Sequence, residues 1–237
     1  MRMIEKRYMS NSENLKKYQS TLSIERIKAF SCGINDKEEF LLKVYELNIE
    51  TSKDLYPALC MFEVHLRNAI DVMLQNIFTT TWLEDEIKTQ NILLDKDYKT
   101  LKYTYNLLKT RYGVSNITHG KLVSGLSLGF WVSLCSKKYN PKIWTKKGAF
   151  RSVFVNYPKN KKEHIQDISE KLTKIKNLRN RVFHFEPILY KSEKCGELYN
   201  LIPEIMAYLP KDNSNLFEKV NRFPQEITKT LSTLQSR

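Results

Sequence analysis

Apolar residues recur at intervals of three and four along two long stretches of this 237-residue chain. That spacing places them on one face of an α-helix, so each stretch predicts a long amphipathic helix. Only seven glycines and seven prolines occur, which is few for a chain with many tight turns and favours long helices. The sequence therefore predicts an all-α fold. The first series comprises Leu55, Leu59, Phe62, Leu66, Ile70, Met73 and Ile77, and the second comprises Ile165, Ile168, Leu172, Ile175, Leu178, Val182 and Phe185.

Capping and breaking residues set the bounds of the predicted elements. We interpret residues 1–20 as a polar N-terminal arm, residues 21–210 as a single helical domain, and residues 211–237 as a polar C-terminal segment. The predicted helices within the domain are 23–30, 36–48 with Asp36 as N-cap, 51 to the threonines at 79–81, 97–112 closed by Gly113, 120–138 with Thr118 as N-cap, a short one near 150–157, 165–186, and 196–209 interrupted near Pro203.

Several protein classes are not expected. No apolar run approaches the roughly 18 residues of a membrane span, and no apolar stretch follows the N-terminal charges as in a secretory signal. The four cysteines lack CxxC or Cys/His ligand spacing, so we expect reduced thiols in a cytoplasmic protein, without a metal site or cofactor. The common nucleotide-binding and zinc-protease motifs are also missing.

The positive charge is concentrated in one part of the chain. The whole sequence has a formal net charge of +13, and residues 137–191 carry 15 Lys/Arg against four Asp/Glu, a net of +11. Aromatic residues are interleaved in the basic connector at about 137–164. Cations displace the counterions of a polyphosphate and rings stack on unpaired bases, so this composition favours RNA as a partner. A solvated, lysine-rich surface is the alternative. The predicted RNA contacts are Trp144, Lys146, Lys147, Arg151, Lys159, Lys161, Lys162 and Arg181.

A candidate catalytic group lies at the end of the helix predicted at 165–186. At about 100° per residue, His184 points away from the apolar stripe, Asn180 lies one turn earlier on the same face, and Arg179 lies at the margin of the stripe. A cation, an amide and an imidazole thus border one surface, a set suited to acid–base chemistry on a phosphate. The alternative interpretation is a surface histidine beside ordinary solvated basic residues.

Together with two other blocks, this motif resembles a known family. Arg179-Asn180-x-x-x-His184 is similar to the R-x4–6-H signature of the Abi-like branch of the HEPN superfamily, in which a polar residue follows the arginine. Residues 55–70, with Tyr56-Pro57 and Leu66-Arg67-Asn68, resemble the family's early helix, and residues 127–134 resemble its middle helix. The likeness covers roughly residues 20–210, and the AbiD/AbiF-type abortive-infection proteins are the most similar group.

The resemblance implies a HEPN-like helical bundle with additional helices inserted between its two core helix pairs. It also implies a metal-independent endoribonuclease, acting as a toxin in phage defence and working as a homodimer in which two motifs face each other. His184 would then deprotonate the 2′-OH or protonate the 5′-oxygen, Arg179 would bind the scissile phosphate, and Asn180 would position the phosphate or the imidazole.

The resemblance further suggests that Glu63, Arg67 and Asn68 support the catalytic helix from a neighbouring one. Glu63 and Arg67 are four residues apart, so an ion pair within their own helix is the alternative. Two other functions remain open. One is a HEPN-fold protein that holds a structured small RNA of antitoxin type with little or no cleavage, and the other is a dimerising partner of another protein.

Overall fold

The computed structural model describes residues 21–30, 38–161, 164–189, 192–211 and 215–221. Every regular element in these ranges is helical, which confirms the all-α prediction. None of the described helices is both long and apolar enough to cross a membrane. The α-helices are α1 (Ile24–Lys28), α2 (Glu38–Ile77), α3 (Trp82–Thr89), α4 (Asp95–Tyr112), α5 (His119–Gly125), α6 (Leu128–Leu134), α7 (Ala149–Val153), α8 (Ile165–Phe183), α9 (Ser192–Tyr208) and α10 (Leu216–Val220). Short 3-10 turns cover Val114–Asn116 and Lys137–Tyr139, and one π-helical turn covers Asn140–Trp144.

The chain divides into two compact units, each assembled from segments that are distant in sequence. The first unit contains Met1–Tyr56, Asn180–Glu197 and Asn221–Arg237, and the second contains Pro57–Arg179 and Leu198–Val220. The range 21–210, predicted as one domain, is thus shared between both units. The predicted arm at 1–20 and most of the C-terminal segment lie outside the described residues.

In the first unit, a buried amide fastens the segment after α8 to α2. Asn48 is 2% exposed. Its Nδ2 donates to the carbonyl of Glu186 at 3.2 Å, and its Oδ1 accepts from the backbone N–H of Ile188 at 2.7 Å and, more weakly, of Leu189 at 3.4 Å. One side chain thereby satisfies both polarities of a buried, non-helical backbone.

The same residue explains why the predicted break in α2 is wrong. The sequence predicts the end of one helix at Asn48 and the start of the next at Thr51, whereas α2 runs unbroken through both. Thr51 Oγ1 donates to the carbonyl of Leu47 at 2.7 Å, within the helix, and the Asn48 amide bonds to the segment after α8. Pro57 therefore lies in the helix interior. The predicted N-cap Asp36 lies outside the described residues.

The second unit is built on the two predicted apolar stripes. Ile168, Leu172, Ile175 and Leu178 of α8 are buried, as are the stripe residues of α2 from Leu59 to Met73. Each fully buried side chain of this size stabilises the fold by about 1.5–3 kcal/mol. The core extends through Trp82 and Trp131, whose rings meet edge to face at 6.3 Å.

Buried carboxylates hold the loops that lead to the basic connector. Glu86 is 2% exposed, and its two oxygens accept from the backbone N–H groups of residues 91, 92 and 93 at 2.7–2.9 Å. The Tyr139 hydroxyl donates to Asp97 at 2.8 Å and accepts from the backbone N–H of Leu94 at 3.0 Å. The start of the connector is therefore anchored in the unit's interior.

The prediction of a single helix at 120–138 is wrong in one respect. The segment is divided into α5 and α6, because Leu126 and Ser127 adopt extended backbone angles. Gly125 ends α5 so close to α4 that a Cβ atom there would lie 2.9 Å from the Thr104 Cγ2 atom. Residues 120–134 are apolar on nearly all sides because they form two short helices that bury different faces. Similarly, α9 continues through Pro203, where the sequence predicts an interruption.

Candidate functional site

The end of α8 presents two of the three motif residues to solvent. Leu178 and Val182 of the apolar stripe are buried, whereas Asn180 and His184 are exposed. The His184 backbone N–H donates to the Asn180 carbonyl at 2.9 Å, so His184 completes the last helical turn and lies one turn beyond Asn180. The outward position expected from the helical spacing agrees with this geometry.

A tight closing motif fixes the backbone directly after His184. Phe185 N–H donates to the Val182 carbonyl at 3.2 Å, and Glu186 N–H donates to the Arg181 carbonyl at 2.9 Å. This pair of bonds defines a Schellman motif, which places the residue after the C-cap in the left-handed region. Phe185 has φ 56° and lies at that position, where glycine is the usual residue. The Arg26 guanidinium donates to the Phe185 carbonyl, which further holds the turn.

Aromatic residues stand on both sides of His184 in the chain. Phe183 packs against Tyr56 with ring centroids 5.4 Å apart, and Tyr56 itself is exposed. Phe185 is 69% exposed. The sequence pattern does not single out these rings as functional, because aromatic residues at helical spacing are more often part of a core.

Arg179, the third motif residue, belongs to the second unit, and a carboxylate on α2 holds its guanidinium. Arg179 Nε donates to Glu63 Oε2 at 3.2 Å, with side chains 24% and 18% exposed. The structure thus places Glu63 against the motif arginine. The alternative ion pair of Glu63 with Arg67 is not formed among the described residues. Partial burial makes this charge-assisted bond stronger than an ordinary surface pair.

The other two predicted support residues make no such contact. Arg67 is half-buried, and its Nε is enclosed without a hydrogen-bond partner in the described ranges. Asn68 is exposed on α2. Arg181 donates from Nε to Glu186 Oε2 at 3.4 Å, and both side chains are about half exposed. An exposed pair of this kind contributes little to stability, so it does not hold Arg181 away from a phosphate.

The basic connector separates into exposed lysines and buried groups. Lys146, Lys147, Lys159 and Lys161 are exposed, and Lys162 lies outside the described residues. Arg151 is half-buried, with its guanidinium donating to the Tyr157 carbonyl and lying 5.8 Å from the centre of that ring. Its observed contacts are therefore structural ones.

The structure contradicts the predicted contact of Trp144 with RNA. Its side chain is 8% exposed, its indole N–H donates to the Leu134 carbonyl at 2.7 Å, and its ring stacks on Phe154 at 6.3 Å. The ring is therefore part of the core and has no free face on which a base could stack. Its basic neighbours in sequence suggested a surface position, but the buried contacts come from residues that no local pattern reveals.

An ionic cluster around His119 was not predicted. His119 begins α5 directly after the N-cap Thr118, and its ring lies between two carboxylates. Nε2 is 2.9 Å from Asp71 Oδ1, and Nδ1 is 2.9 Å from Glu84 Oε2. The Trp82 indole N–H also donates to Asp71, at 2.8 Å. Burial by itself lowers the pKa of His119, but the hydrogen bonds and charges of Glu84 and Asp71 outweigh it, and the net pKa is raised.

In the part of the chain that the structure describes, no group of three or more His, Cys, Asp or Glu side chains is arranged to hold a metal ion. No protein-family model matches the chain, and neither a curated protein nor a solved structure matches it.

Proposed function

We propose that this protein is a HEPN-type endoribonuclease that cleaves RNA without a metal ion and acts as a toxin in a bacterial abortive-infection system. The observation that carries the proposal is the motif at the end of α8: Asn180 and His184 are exposed one turn apart, and the adjacent Arg179 is oriented by Glu63. The resemblance of the motif and two further blocks to Abi-like proteins supports the same assignment. We place the protein in the cytoplasm, where such RNA is found.

In the proposed reaction, an imidazole removes the proton from a ribose 2′-OH as that oxygen attacks the adjacent phosphorus. The P–O5′ bond breaks, and an imidazolium donates a proton to the departing 5′-oxygen. The products are a 2′,3′-cyclic phosphate and a 5′-OH. Arg179 binds the phosphate and stabilises its developing charge, and Asn180 positions the phosphate or the ring. DNA lacks the nucleophile and is not cleaved.

One His184 per chain supplies either the base or the acid. We therefore propose a homodimer in which two motifs form one composite site. The exposed aromatic residues next to the motif, Tyr56 and Phe185, provide surfaces on which unpaired bases can stack. The exposed lysines of the connector supply charge for the RNA backbone.

Cleavage of a single-stranded RNA by purified protein tests the proposal. His184→Ala should lower the rate by about 100-fold or more, whereas His164→Ala, which alters the other exposed histidine just before the start of the same helix, should leave it unchanged. A 2′-deoxy substitution at the cleaved nucleotide should block the reaction, and EDTA should not. Wild-type cleavage by the His184→Ala protein would refute the assignment.

The composite site has its own experiment. Light scattering should give the mass of a dimer, and Arg179→Ala chains mixed with His184→Ala chains show whether residues of both subunits serve one cleavage site. An active monomer at assay concentration would contradict the dimer.

A second function is favoured by one observation. Arg179 is engaged by Glu63, so the arginine most needed for phosphate chemistry is already neutralised in part. A protein that holds a structured small RNA with little cleavage would show this arrangement together with exposed lysines. Tight RNA binding by wild-type protein with no cyclic-phosphate product would support that function.

A further inference from the structure

A cleft of about 790 Å³ lies within the second unit, and none of the motif residues lines it. The end of α2, the helix α3 and the π-helical turn at Asn140–Trp144 supply its walls. Its volume falls in the range of roughly 300–1,000 Å³ that is usual for small-molecule sites. Nothing in the proposed cleavage chemistry uses it.

Three lysines line one part of this cleft. Lys88 and Lys146 are exposed, and neither ammonium group forms an ion pair within the described residues. Lys142 Nζ donates to the carbonyl of Asn91 at 3.0 Å. That bond steadies the ammonium group and uses one of its three N–H donors. The lining of the cleft therefore includes three cationic donor groups.

The two carboxylates in the cleft do not neutralise these lysines by direct pairing. Glu86 is buried and accepts from three backbone N–H groups. One oxygen of Asp85 accepts from the hydroxyls of Thr79 and Thr81 at 2.6 and 3.2 Å. The Thr79 hydrogen bond and, to a smaller extent, the charge of Lys88 lower the pKa of Asp85, so this acid keeps its charge. Three lysines against two carboxylates give the cleft lining a net charge of +1, and neither Lys142 nor Lys146 forms an ion pair among the described residues.

An apolar wall lies beside the cations. Ile77 and Phe78 are half-buried, and Pro141 is exposed. Inorganic phosphate would leave this wall unused, and a purely apolar ligand would leave the lysines unpaired. A planar ring that carries a phosphate satisfies both parts of the cleft, because the ring packs on the apolar side chains while the phosphate accepts from the ammonium groups.

We propose that this cleft binds a nucleoside monophosphate, with the phosphate on Lys88, Lys142 and Lys146 and the base against Ile77, Phe78 and Pro141. A free nucleotide and an unpaired nucleotide of RNA share this chemistry. The RNA source rests on the proposed function, whereas the free-nucleotide source does not.

Calorimetric titration with AMP, adenosine and inorganic phosphate tests the ligand class. AMP should bind wild-type protein at least tenfold more tightly than adenosine or inorganic phosphate does. The double variant Lys88→Ser/Lys146→Ser should lose at least tenfold in AMP affinity. The matched control Lys99→Ser/Lys109→Ser removes two exposed lysines of α4 outside the cleft and should bind AMP as wild type does.

A second measurement does not depend on any variant. An 8-azido derivative of AMP, photolysed on wild-type protein, should label peptides from residues 77–92 or 141–146. Labelling only of peptides outside these two ranges overturns the proposal. Failure of AMP to bind overturns it as well, unless titration with RNA locates a nucleotide in the cleft.

The source is decided with a ten-nucleotide single-stranded RNA bound to the His184→Ala protein. Weaker RNA binding after Lys88→Ser, which leaves every connector lysine in place, but not after Lys99→Ser, assigns the site to RNA. AMP binding without any change in RNA affinity assigns it to a free nucleotide. If neither ligand distinguishes the cleft variant from the control, the proposal is wrong. Cleavage is not measured in any arm, so these results stand apart from the His184 experiment.

Discussion

Glu63 of α2 and Arg179 of α8 are 116 residues apart in sequence, and their side chains meet with Nε and Oε2 3.2 Å apart. The pair lies in the second unit and is partly buried. A guanidinium in such a position has its orientation set by the carboxylate, since long side chains otherwise sample many rotamers. Through Glu63, α2 therefore sets the orientation of Arg179, a residue of α8 for which we propose a role in cleavage.

Replacing Glu63 should separate orientation from binding. Glu63→Ala removes the acceptor and should lower kcat for RNA cleavage by about tenfold, because Arg179 no longer holds one orientation. We expect KM to change less, and stability to fall by about 1–2 kcal/mol. Glu63→Gln keeps an acceptor oxygen and should be milder on both counts. Asn76→Ala, at an exposed position on the same helix, is the control. Unchanged kcat in Glu63→Ala would contradict a positioning role.

The exposed lysines of the connector should set the salt dependence of RNA binding. Changing Lys146, Lys147, Lys159 and Lys161 to Ser should lower affinity by orders of magnitude, because each neutralised phosphate releases counterions. The slope of log affinity against log salt should flatten by roughly 0.7 for each phosphate of single-stranded RNA that a lysine no longer neutralises. Filter binding measures both quantities.

The control for the lysine variant is the change of Lys53, Lys96, Lys99 and Lys109 to Ser, which removes four exposed lysines outside the connector. Both variants should keep the helical far-UV signal, since exposed charges contribute little to stability. Equal RNA affinity for the two variants at every salt concentration would remove the connector from the binding surface.

We expect the protein to become more stable when Phe185 is replaced by glycine. A non-glycine residue at φ 56° costs about 1 kcal/mol, and the side chain is too exposed to recover that cost by burial. Phe185→Gly should raise Tm by about 2–4 °C in a calorimetric scan. Phe185→Ala keeps the Cβ atom and the strained backbone, so it should give no such gain. A drop in Tm for Phe185→Gly would show that the ring makes stabilising contacts in the assembled protein.

The His119 cluster predicts a pH dependence with a defined sign. Because the folded-state pKa of His119 is raised by Glu84 and Asp71 against the effect of burial, protonation favours the folded state. This contribution is complete below the unfolded pKa of about 6.5 and is lost as pH rises through the folded pKa. We expect the urea midpoint of unfolding to be higher for wild type than for His119→Gln at pH 5.5. This difference should shrink as the pH is raised to 9. A constant difference across this range would contradict the prediction.

The sequence was sufficient where one local pattern decides the structure. The spacing of three and four along residues 165–185 predicts the extent of α8, its buried face and the outward position of His184. The fold class follows from the same patterns. Roles of Arg179, Asn180 and His184 in catalysis stay predictions.

Other features depend on partners that are far away in the chain. Asn48 and Thr51 resemble helix ends in the sequence, because the bonds of Asn48 to Glu186 and Ile188 cannot be foreseen from residues 48–51. Trp144 resembles a surface residue for the same reason, although Phe154 and Leu134 enclose it. The carboxylates of the His119 cluster are 48 and 35 residues away. Local spacing carries no information about such contacts.

The hydrogen bonds of Asn48 and the Schellman motif after α8 together fix the number of residues between His184 and Ile188. His184 is held at one end by its bond to the Asn180 carbonyl, and Ile188 is held at the other by Asn48. A residue inserted or deleted between these points would displace either the imidazole or the buried segment that follows Pro187. We therefore expect the stretch from His184 to Ile188 to tolerate substitutions but neither insertions nor deletions.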